Sequence, residues 1–234
     1  MKIVILTALG VGGATVLGAS LGFLFQKKLY KYSDAVNAFS AGLMTVAAVV
    51  GLILPSREYG GYFGSCVGIM CGALCLYVCD RCFQKHGEQS RIQEAALVLF
   101  LAIAIHNLPE GMAAGVGLGA DNGYNGIRIA LEIALQNIPE GMVIIGPMLA
   151  SGMSAGKTFV LAVVTGIIEV FGGFMGYYSV ELTSKILPFT LSYAGGMMLY
   201  VICSEMIPET CQKAKNTFFY ILGFIFMLIF DGLV

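Results

Sequence analysis

Two copies of one short polar motif interrupt the apolar sequence of this chain. The first copy reads IHNLPEGM at residues 105–112, and the second reads LQNIPEGM at residues 135–142. In a helix, side chains four residues apart lie on the same face. Each copy therefore predicts a polar pair on one helix face. The pairs are His106 with Glu110 and Gln136 with Glu140.

The chemistry of these residue types points to a divalent metal. Asn107 and Asn137 lie about 100° around the helix from the first residue of each pair and widen the polar face. Two helices packed through these faces would present an imidazole, two carboxylates and three amide oxygens to one pocket. Imidazole with carboxylates suits zinc and its first-row neighbours, whereas calcium and magnesium prefer sites built from oxygen alone. Two shared carboxylates could also bridge two ions.

Each motif also contains a proline and a glycine, which affect the helix geometry. Pro109 and Pro139 each remove an intrahelical hydrogen bond, so both helices are predicted to kink. At membrane depth the freed carbonyl groups are tolerated beside a cavity or another partner. Gly111 and Gly141 would let the two helices approach closely.

The surroundings of the motifs are those of an integral membrane protein. The chain has 234 residues, of which 58% are hydrophobic and 12% are charged, and its mean hydropathy is +0.85. Because one helix crosses a bilayer with about 20 apolar residues, we predict an all-α protein with a single transmembrane domain over residues 1–234. The N-terminal stretch has no small-residue cleavage site, so it is taken as the first span. The eight predicted spans are 3–25, 35–55, 61–80, 93–118, 127–150, 157–180, 188–210 and 216–233.

Acidic residues inside these spans are the strongest sign of function. Each carboxylate near the bilayer centre costs about 2.5–3.5 kcal/mol. Glu110, Glu140 and Glu169 lie near mid-span with no basic side chain at the same depth. They are therefore either protonated or neutralised by a bound cation. The glutamates within predicted spans are Glu94, Glu110, Glu132, Glu140, Glu169, Glu205 and Glu209.

The basic residues predict the orientation in the membrane. All thirteen Lys and Arg residues lie at or beyond span ends. With the N-terminus outside, nine of them fall in cytoplasmic loops and four fall outside, so the positive-inside bias places both termini outside. The formal net charge of −1 gives no reason to expect nucleic acid as a partner. The short loops and compact length fit a bacterial plasma membrane.

The cysteines allow two interpretations. Cys71, Cys75 and Cys79 recur every four residues in the third predicted span, a spacing typical of small apolar side chains packed along one helix face as free thiols. The alternative is a soft-metal track that ends at Cys79, Cys82 and His86. One Cys-x-x-Cys with a single histidine is a weak zinc signal.

The hexads HNLPEG and QNIPEG on consecutive spans resemble the ZIP (Zrt/Irt-like protein) family of divalent metal transporters. The glutamine of the second copy is similar to the GufA-like branch of that family. The stretches at residues 38–55 and 195–209 resemble the family's second and seventh spans. The resemblance implies eight spans in a 3+2+3 bundle, with inverted repeats flanking the Pro-kinked fourth and fifth helices. It also implies metal movement toward the cytoplasm by carrier-like motion of one helix group against the other.

The resemblance implies a set of metal ligands by matching positions. The primary site would comprise His106, Glu110, Gln136 and Glu140, with Met44 as an additional soft ligand. A neighbouring second site, which shares Glu110 and Glu140, would comprise Asn107, Asn137 and Glu169. Two features depart from the family pattern. Asn137 stands where some relatives have Asp, which removes one negative charge, and the loop before the fourth span has one histidine instead of a His-rich tract.

Three further acids near span ends have two interpretations each. Glu132 lies near the predicted outer end of the fifth span, where it is either an entrance ligand or an interfacial residue that faces headgroups. Glu205 and Glu209 share one helix face near the cytoplasmic end of the seventh span. They either receive the ion on release or support helix contacts.

The predicted function is therefore transport of a divalent transition metal. Zinc is the favoured substrate, with Fe²⁺, Mn²⁺ and Cd²⁺ as alternatives, and no cofactor is expected. The rival hypothesis is an intramembrane metalloenzyme of the protease type. Such an enzyme needs about three strong protein ligands and an open water position, and the His-Glu-x-x-His pattern is missing. The expected partners are metal ions and the lipid bilayer, with a homodimer left open.

Overall fold

The structure, a computed structural model, describes most of the chain. The described residues are 2–87, 104, 107–119, 124–150, 152–182, 187–210 and 214–233. Within these ranges, the description excludes the side chains at 26–31, 80, 82–87, 124–125, 143, 147, 150, 181–182, 187, 205 and 209–210.

Nearly all of the described residues are helical, which confirms the all-α prediction. Apolar runs interrupted by few prolines favour helices because a helix satisfies every backbone polar group in lipid. The helices are α1 (Lys2–Val46), α2 (Leu54–Gly87), α3 (residues 107–119), α4 (Tyr124–Ala150), α5 (Ala155–Leu182), α6 (Leu187–Val201), α7 (Ile207–Thr210) and α8 (Ala214–Leu233). Two π-helical segments, Ala47–Ile53 and Ile202–Met206, join α1 to α2 and α6 to α7.

Five described stretches are long and apolar enough to cross a membrane. They are Lys2–Phe25, Tyr32–Cys79, Gly126–Gly146, Ala155–Val180 and Ala214–Leu233. The second stretch covers two predicted spans. The seventh predicted span is divided among α6, a π segment and α7, and most of the first half of the fourth lies outside the described residues. The structure thus establishes a helical membrane protein, while the eight-span inverted repeat stays a prediction.

The chain folds back within the helix α1. The side chain of Asn137 approaches the carbonyl oxygen of Val11 at 3.4 Å. Leu135, two residues earlier, packs against Leu43 and Val46. A straight helix would separate residues 11 and 43 by about 48 Å, so two legs of α1 must run beside α4. These legs correspond to the first and second predicted spans.

A second change of direction occurs at Gly61 in α2. This residue has φ 72° and ψ 173°, a conformation that strains any residue with a Cβ. The hydroxyl oxygens of Ser56 and Ser65 lie 2.7 Å apart, although nine residues of straight helix would span about 13 Å. The break therefore falls at the first residue of the third predicted span.

The two π segments have a common cause in the sequence. Pro55 follows the first segment by two residues, and Pro208 follows the second by two residues. A proline lacks the N–H that would bond four residues back, and its ring presses on that carbonyl group. A wider π turn one turn earlier relieves this conflict. By contrast, α4 remains helical through Pro139, and the kink predicted there remains a prediction.

Glycines set the distance between α3 and α5. A Cβ at Gly111 would overlap the carbonyl oxygen of Glu169, and one at Gly172 would overlap that of Leu108. Gly115 and Gly176 make equivalent close approaches one turn further along. Small residues four apart on both helices let the two backbones touch, as membrane helices require for tight packing. This contact brings the first motif copy against Glu169.

All five cysteines whose side chains the structure describes are at least partly exposed on helix surfaces. Among the described residues, Cys66, Cys71, Cys75, Cys79 and Cys203 are reduced and form no disulfide bond, as expected. The side chains of Cys82 and His86 lie outside the described residues, so the soft-metal track stays a hypothesis.

Candidate metal centre

The two motif copies meet where α3 packs near α4. Gln136 Nε2 donates a hydrogen bond of 2.8 Å to Glu110 Oε1. Both side chains are fully buried, each with 0% exposure. The pair joins a carboxylate of the first motif to an amide of the second.

Glu169 of α5 is the centre of a second polar group. Its Oε1 atom accepts hydrogen bonds from Asn107 Nδ2 at 2.6 Å and from Asn137 Nδ2 at 3.0 Å. The Thr15 hydroxyl lies 2.9 Å from both carboxylate oxygens. All four side chains are buried. Neutral donors from α1, α3 and α4 therefore hold one carboxylate in place.

Thr15 is the member of this group that sequence reasoning missed. It sits in an apolar span without a neighbouring polar residue at helical spacing, and it lies 154 residues from Glu169 in the chain. A single threonine in a membrane helix is usually satisfied by its own backbone, so its sequence context gave no signal.

Three carboxylates concentrate negative charge in this region. Glu140 lies near enough to both Glu110 and Glu169 to interact with each electrostatically. The strongest charge interactions of Glu110 are those with Glu140 and Glu169. Buried carboxylates repel one another unless they are protonated or share a cation. The arrangement therefore favours a positively charged ligand.

Unpaired oxygens point to the same kind of ligand. Four buried oxygen atoms of this region have no hydrogen-bond partner among the described residues: Asn107 Oδ1, Glu110 Oε2, Gln136 Oε1 and Asn137 Oδ1. Leaving a buried acceptor unsatisfied costs about 1–3 kcal/mol. All four atoms are acceptors, so a cation or a donor would satisfy them.

The structure describes only some of the other predicted ligands. Met44 is buried in the main apolar cluster with Val11 and Ile133. His106, the predicted imidazole ligand, lies outside the described residues. Within the described part of the chain, no group of three or more His, Cys, Asp or Glu side chains has the arrangement of a metal site. Metal binding by this set therefore stays a prediction.

The acids near span ends also differ in what the structure shows. The Glu132 side chain is 1% exposed, so its interpretation as an interfacial residue facing headgroups is wrong. Its nearest ion-pair partner is Arg128, whose Nε lies 3.8 Å from Oε1. The side chains of Glu205 and Glu209, and all of Glu94, fall outside the described residues.

We expect Thr15→Val to lower the stability of the protein. The substitution keeps the shape of the side chain but removes the hydroxyl that bonds to Glu169, and a hydrogen bond to a charged group contributes about 1.5–3 kcal/mol. The melting temperature of the purified protein in detergent should fall by roughly 5 °C. Thr15→Ser, which retains the hydroxyl, is the control. Equal melting temperatures for the valine and serine variants would contradict the role given to this hydroxyl.

Comparison with known proteins identifies a family and several relatives of this chain. The family model described as ZIP Zinc transporter matches residues 80–231. The zinc transporter GufA of Myxococcus xanthus is 42% identical, over 97% of this chain and 97% of that protein. The zinc transporter ZIPB of Bordetella bronchiseptica is 30% identical over 93% of this chain and 77% of its own length. The zinc transporter ZupT of Chlorobaculum parvum is 29% identical over 88% of this chain and 86% of its own length. This chain belongs to the ZIP zinc transporter family.

Proposed function

We propose that the protein carries Zn²⁺ toward the cytoplasm through a mid-membrane site on α3 and α4. The observation that carries the proposal is the buried cluster in which Gln136 meets Glu110 beside Glu169. The ligands of the primary site are His106, Glu110, Gln136, Glu140 and Met44. The second site comprises Asn107, Asn137 and Glu169 and shares Glu110 and Glu140.

The hydrogen bonds of the structure support this proposal because they preorganise the ligands. The Gln136 amide contacts Glu110 through its N–H group at 2.8 Å. An arriving ion replaces this bond, and the amide turns its oxygen toward the metal. Since metal binds only to deprotonated carboxylates, loading the site releases any protons they hold.

The second site holds its carboxylate without metal. Three neutral side chains already donate to Glu169, and the neutral Asn137 replaces the Asp found in some relatives. An ion gains less there than at Glu110, because it must displace those donors. We therefore assign the stronger binding to the primary site and a transfer role to the second.

The proposed architecture is the eight-span 3+2+3 bundle with both termini outside. The two π segments support an inverted repeat, because they occupy the second and seventh predicted spans and each precedes a proline. Close glycine contacts between helices suit the sliding of one helix group against another.

The bacterial relatives fit a location in a bacterial plasma membrane. Fe²⁺, Mn²⁺ and Cd²⁺ are further substrates, and a homodimer is the proposed assembly.

Membership in a transporter family removes the enzyme alternative. The ZIP family is not enzymatic, so the intramembrane metalloprotease hypothesis is abandoned.

Zinc-65 uptake into proteoliposomes tests the proposed function. We expect the purified protein to give saturable uptake above empty vesicles, with unlabelled Cd²⁺, Mn²⁺ and Fe²⁺ competing. The expected KM lies between roughly 1 μM and 1 mM, as for most substrates. Uptake equal to that of empty vesicles, under pH gradients of either sign, would contradict it.

A further inference from the structure

The polar group around Glu169 carries a negative charge without a positive partner among the described residues. The three side chains that bond to this carboxylate belong to Thr15, Asn107 and Asn137, and all three are neutral. Each member of the group is only 1% exposed. Because a buried charge is costly unless it is compensated, the group favours a ligand with one positive charge.

Two amide oxygens are available beside this carboxylate. Asn107 Oδ1 and Asn137 Oδ1 are buried and have no hydrogen-bond partner among the described residues. Each belongs to an amide whose nitrogen contacts Glu169 Oε1, at 2.6 Å and 3.0 Å. A half-turn of either amide about its last side-chain bond exchanges nitrogen for oxygen. A cation in place of the two N–H donors would therefore contact both amide oxygens and the carboxylate.

The first leg of α1 adds two further oxygens to the same place. The carbonyl oxygen of Val11 lies 3.4 Å from Asn137 Nδ2, the nitrogen that also contacts Glu169. A carbonyl group has two lone pairs, so it can bind a ligand in addition to its helix hydrogen bond. One turn later, the Thr15 hydroxyl lies 2.9 Å from both carboxylate oxygens. The ligand set thus combines a carboxylate, two amide oxygens, a hydroxyl and a backbone carbonyl.

This ligand set suits a hard monovalent cation better than zinc. All five groups bind through oxygen, which hard cations prefer, whereas zinc is usually bound by nitrogen or sulfur together with carboxylates. With Glu169 as the single carboxylate, a monovalent ion leaves the group neutral. A divalent ion leaves a buried positive charge unless Glu110 or Glu140 also binds it. Backbone carbonyls of membrane helices coordinate Na⁺ in other transporters.

Tight packing around α1 favours a small ion. A Cβ at Gly141 would overlap the carbonyl oxygen of Thr15, and one at Gly12 would overlap that of Gly166. The backbone of α1 therefore touches α4 and α5 on either side of the Thr15 hydroxyl. Because these backbones cannot move apart without losing their contacts, the space between them suits Na⁺ better than the larger K⁺.

We propose that Glu169, Asn107, Asn137, Thr15 and the carbonyl group of Val11 form a binding site for Na⁺. The ion occupies the second site between transport events, and zinc that leaves the primary site displaces it. This displacement rests on the proposed function, whereas binding of Na⁺ by the group does not depend on zinc transport.

Equilibrium binding of sodium-22 to the purified full chain in detergent tests the site. Choline chloride keeps the ionic strength constant. We expect one bound ion per chain in the native protein and none in Glu169→Gln. Thr15→Val should weaken binding by roughly tenfold, since it removes one oxygen that contacts the ion. Unlabelled K⁺ should compete less well than unlabelled Na⁺.

Thr165→Val is the matched control for the threonine substitution. Thr165 is also fully buried and lies one turn from Glu169 in α5, but its hydroxyl donates to the carbonyl oxygen of Ala162 at 2.8 Å. This variant should keep the native affinity for Na⁺. Equal weakening by the two threonine variants would overturn the ligand set, because looser packing would then explain both results.

Asn137→Asp tests the charge argument. A second carboxylate beside Glu169 makes the group doubly negative, so its preference should change from Na⁺ to a divalent ion. Zn²⁺ should then displace sodium-22 at concentrations at least about tenfold lower than in the native protein. Unchanged displacement by Zn²⁺ would show that charge does not select the ion, which contradicts the proposal.

The outcomes separate this site from the proposed function. Absence of bound sodium-22 in the native protein overturns the site, even if that protein transports zinc. Binding that is lost in Glu169→Gln and kept in Thr165→Val supports the site, even if zinc uptake fails. Equal competition by K⁺ and Na⁺ overturns the assignment to Na⁺.

Discussion

Zinc uptake should fall by roughly a hundredfold when Glu110 is replaced by glutamine. The substitution preserves the size of the side chain and removes one negative charge from the proposed primary site. We take the charged carboxylate to bind the ion more strongly than the neutral amide by about 1.5–3 kcal/mol, the contribution of a hydrogen bond to a charged group. This difference corresponds to a factor of roughly 10–150 in affinity. Initial rates of zinc-65 uptake into proteoliposomes, at equal protein content, measure the effect.

The same variant should not lose stability. Glu110 is fully buried next to two other acids, so a neutral amide relieves repulsion at that position. We therefore expect the melting temperature of Glu110→Gln to equal or exceed that of the native protein. Loss of uptake combined with a lower melting temperature would instead indicate a structural role.

Asp34→Asn provides the matched control for this prediction. It exchanges the same functional groups at a position near the surface, where the Ser33 hydroxyl lies 3.5 Å from the carboxylate. Uptake should stay within a factor of about two, since surface substitutions away from special features change little. Native rates in Glu110→Gln would refute the assignment of this glutamate as a metal ligand.

The motif spacing predicted that the two motif helices meet, whereas metal binding by their side chains stays a prediction. The i, i+4 pairs and the duplicated hexad indicated that the two helices share one polar region, and the structure brings Gln136 to Glu110 at 2.8 Å. The family resemblance, not the spacing, implied that the asparagines lie beside Glu169, and both donate hydrogen bonds to it. Such pairs are predictable because burial in lipid makes every intramembrane polar side chain seek a partner.

Contacts between distant spans could not be predicted in this way. Thr15 and Glu169 lie on helices whose relative rotation depends on glycine packing, and one sequence does not encode that rotation as a pattern. The sequence analysis did not single out Asp231, because an acid at the end of a span costs little free energy and is common there. In the structure Asp231 Oδ1 forms an ion pair with Nη1 of Arg128, 103 residues earlier, at 3.2 Å. Pro55 and Pro208 were the sequence signal for the π segments, since both prolines end long apolar runs.

The contact between α3 and α5 leads to the prediction with the second largest effect. Gly111 follows Glu110 directly, and its Cα faces the backbone of Glu169. A methyl group there would overlap the Glu169 carbonyl oxygen, which is backbone and cannot rotate aside. The two helices must then separate, and both acids move with them. One small substitution therefore disturbs the primary and the second site together.

Gly111→Ala should reduce zinc uptake by at least about tenfold and lower the melting temperature by roughly 5 °C, because overpacking costs about 1–3 kcal/mol. Gly13→Ala is the control, since a Cβ at that helical glycine meets nothing within 4 Å. Alanine is the better helix former, so this control should keep or raise the melting temperature. Proteoliposome uptake and thermal unfolding in detergent compare the two variants. If Gly111→Ala transports and unfolds like Gly13→Ala, the backbone contact does not position the acids, and the packing argument fails.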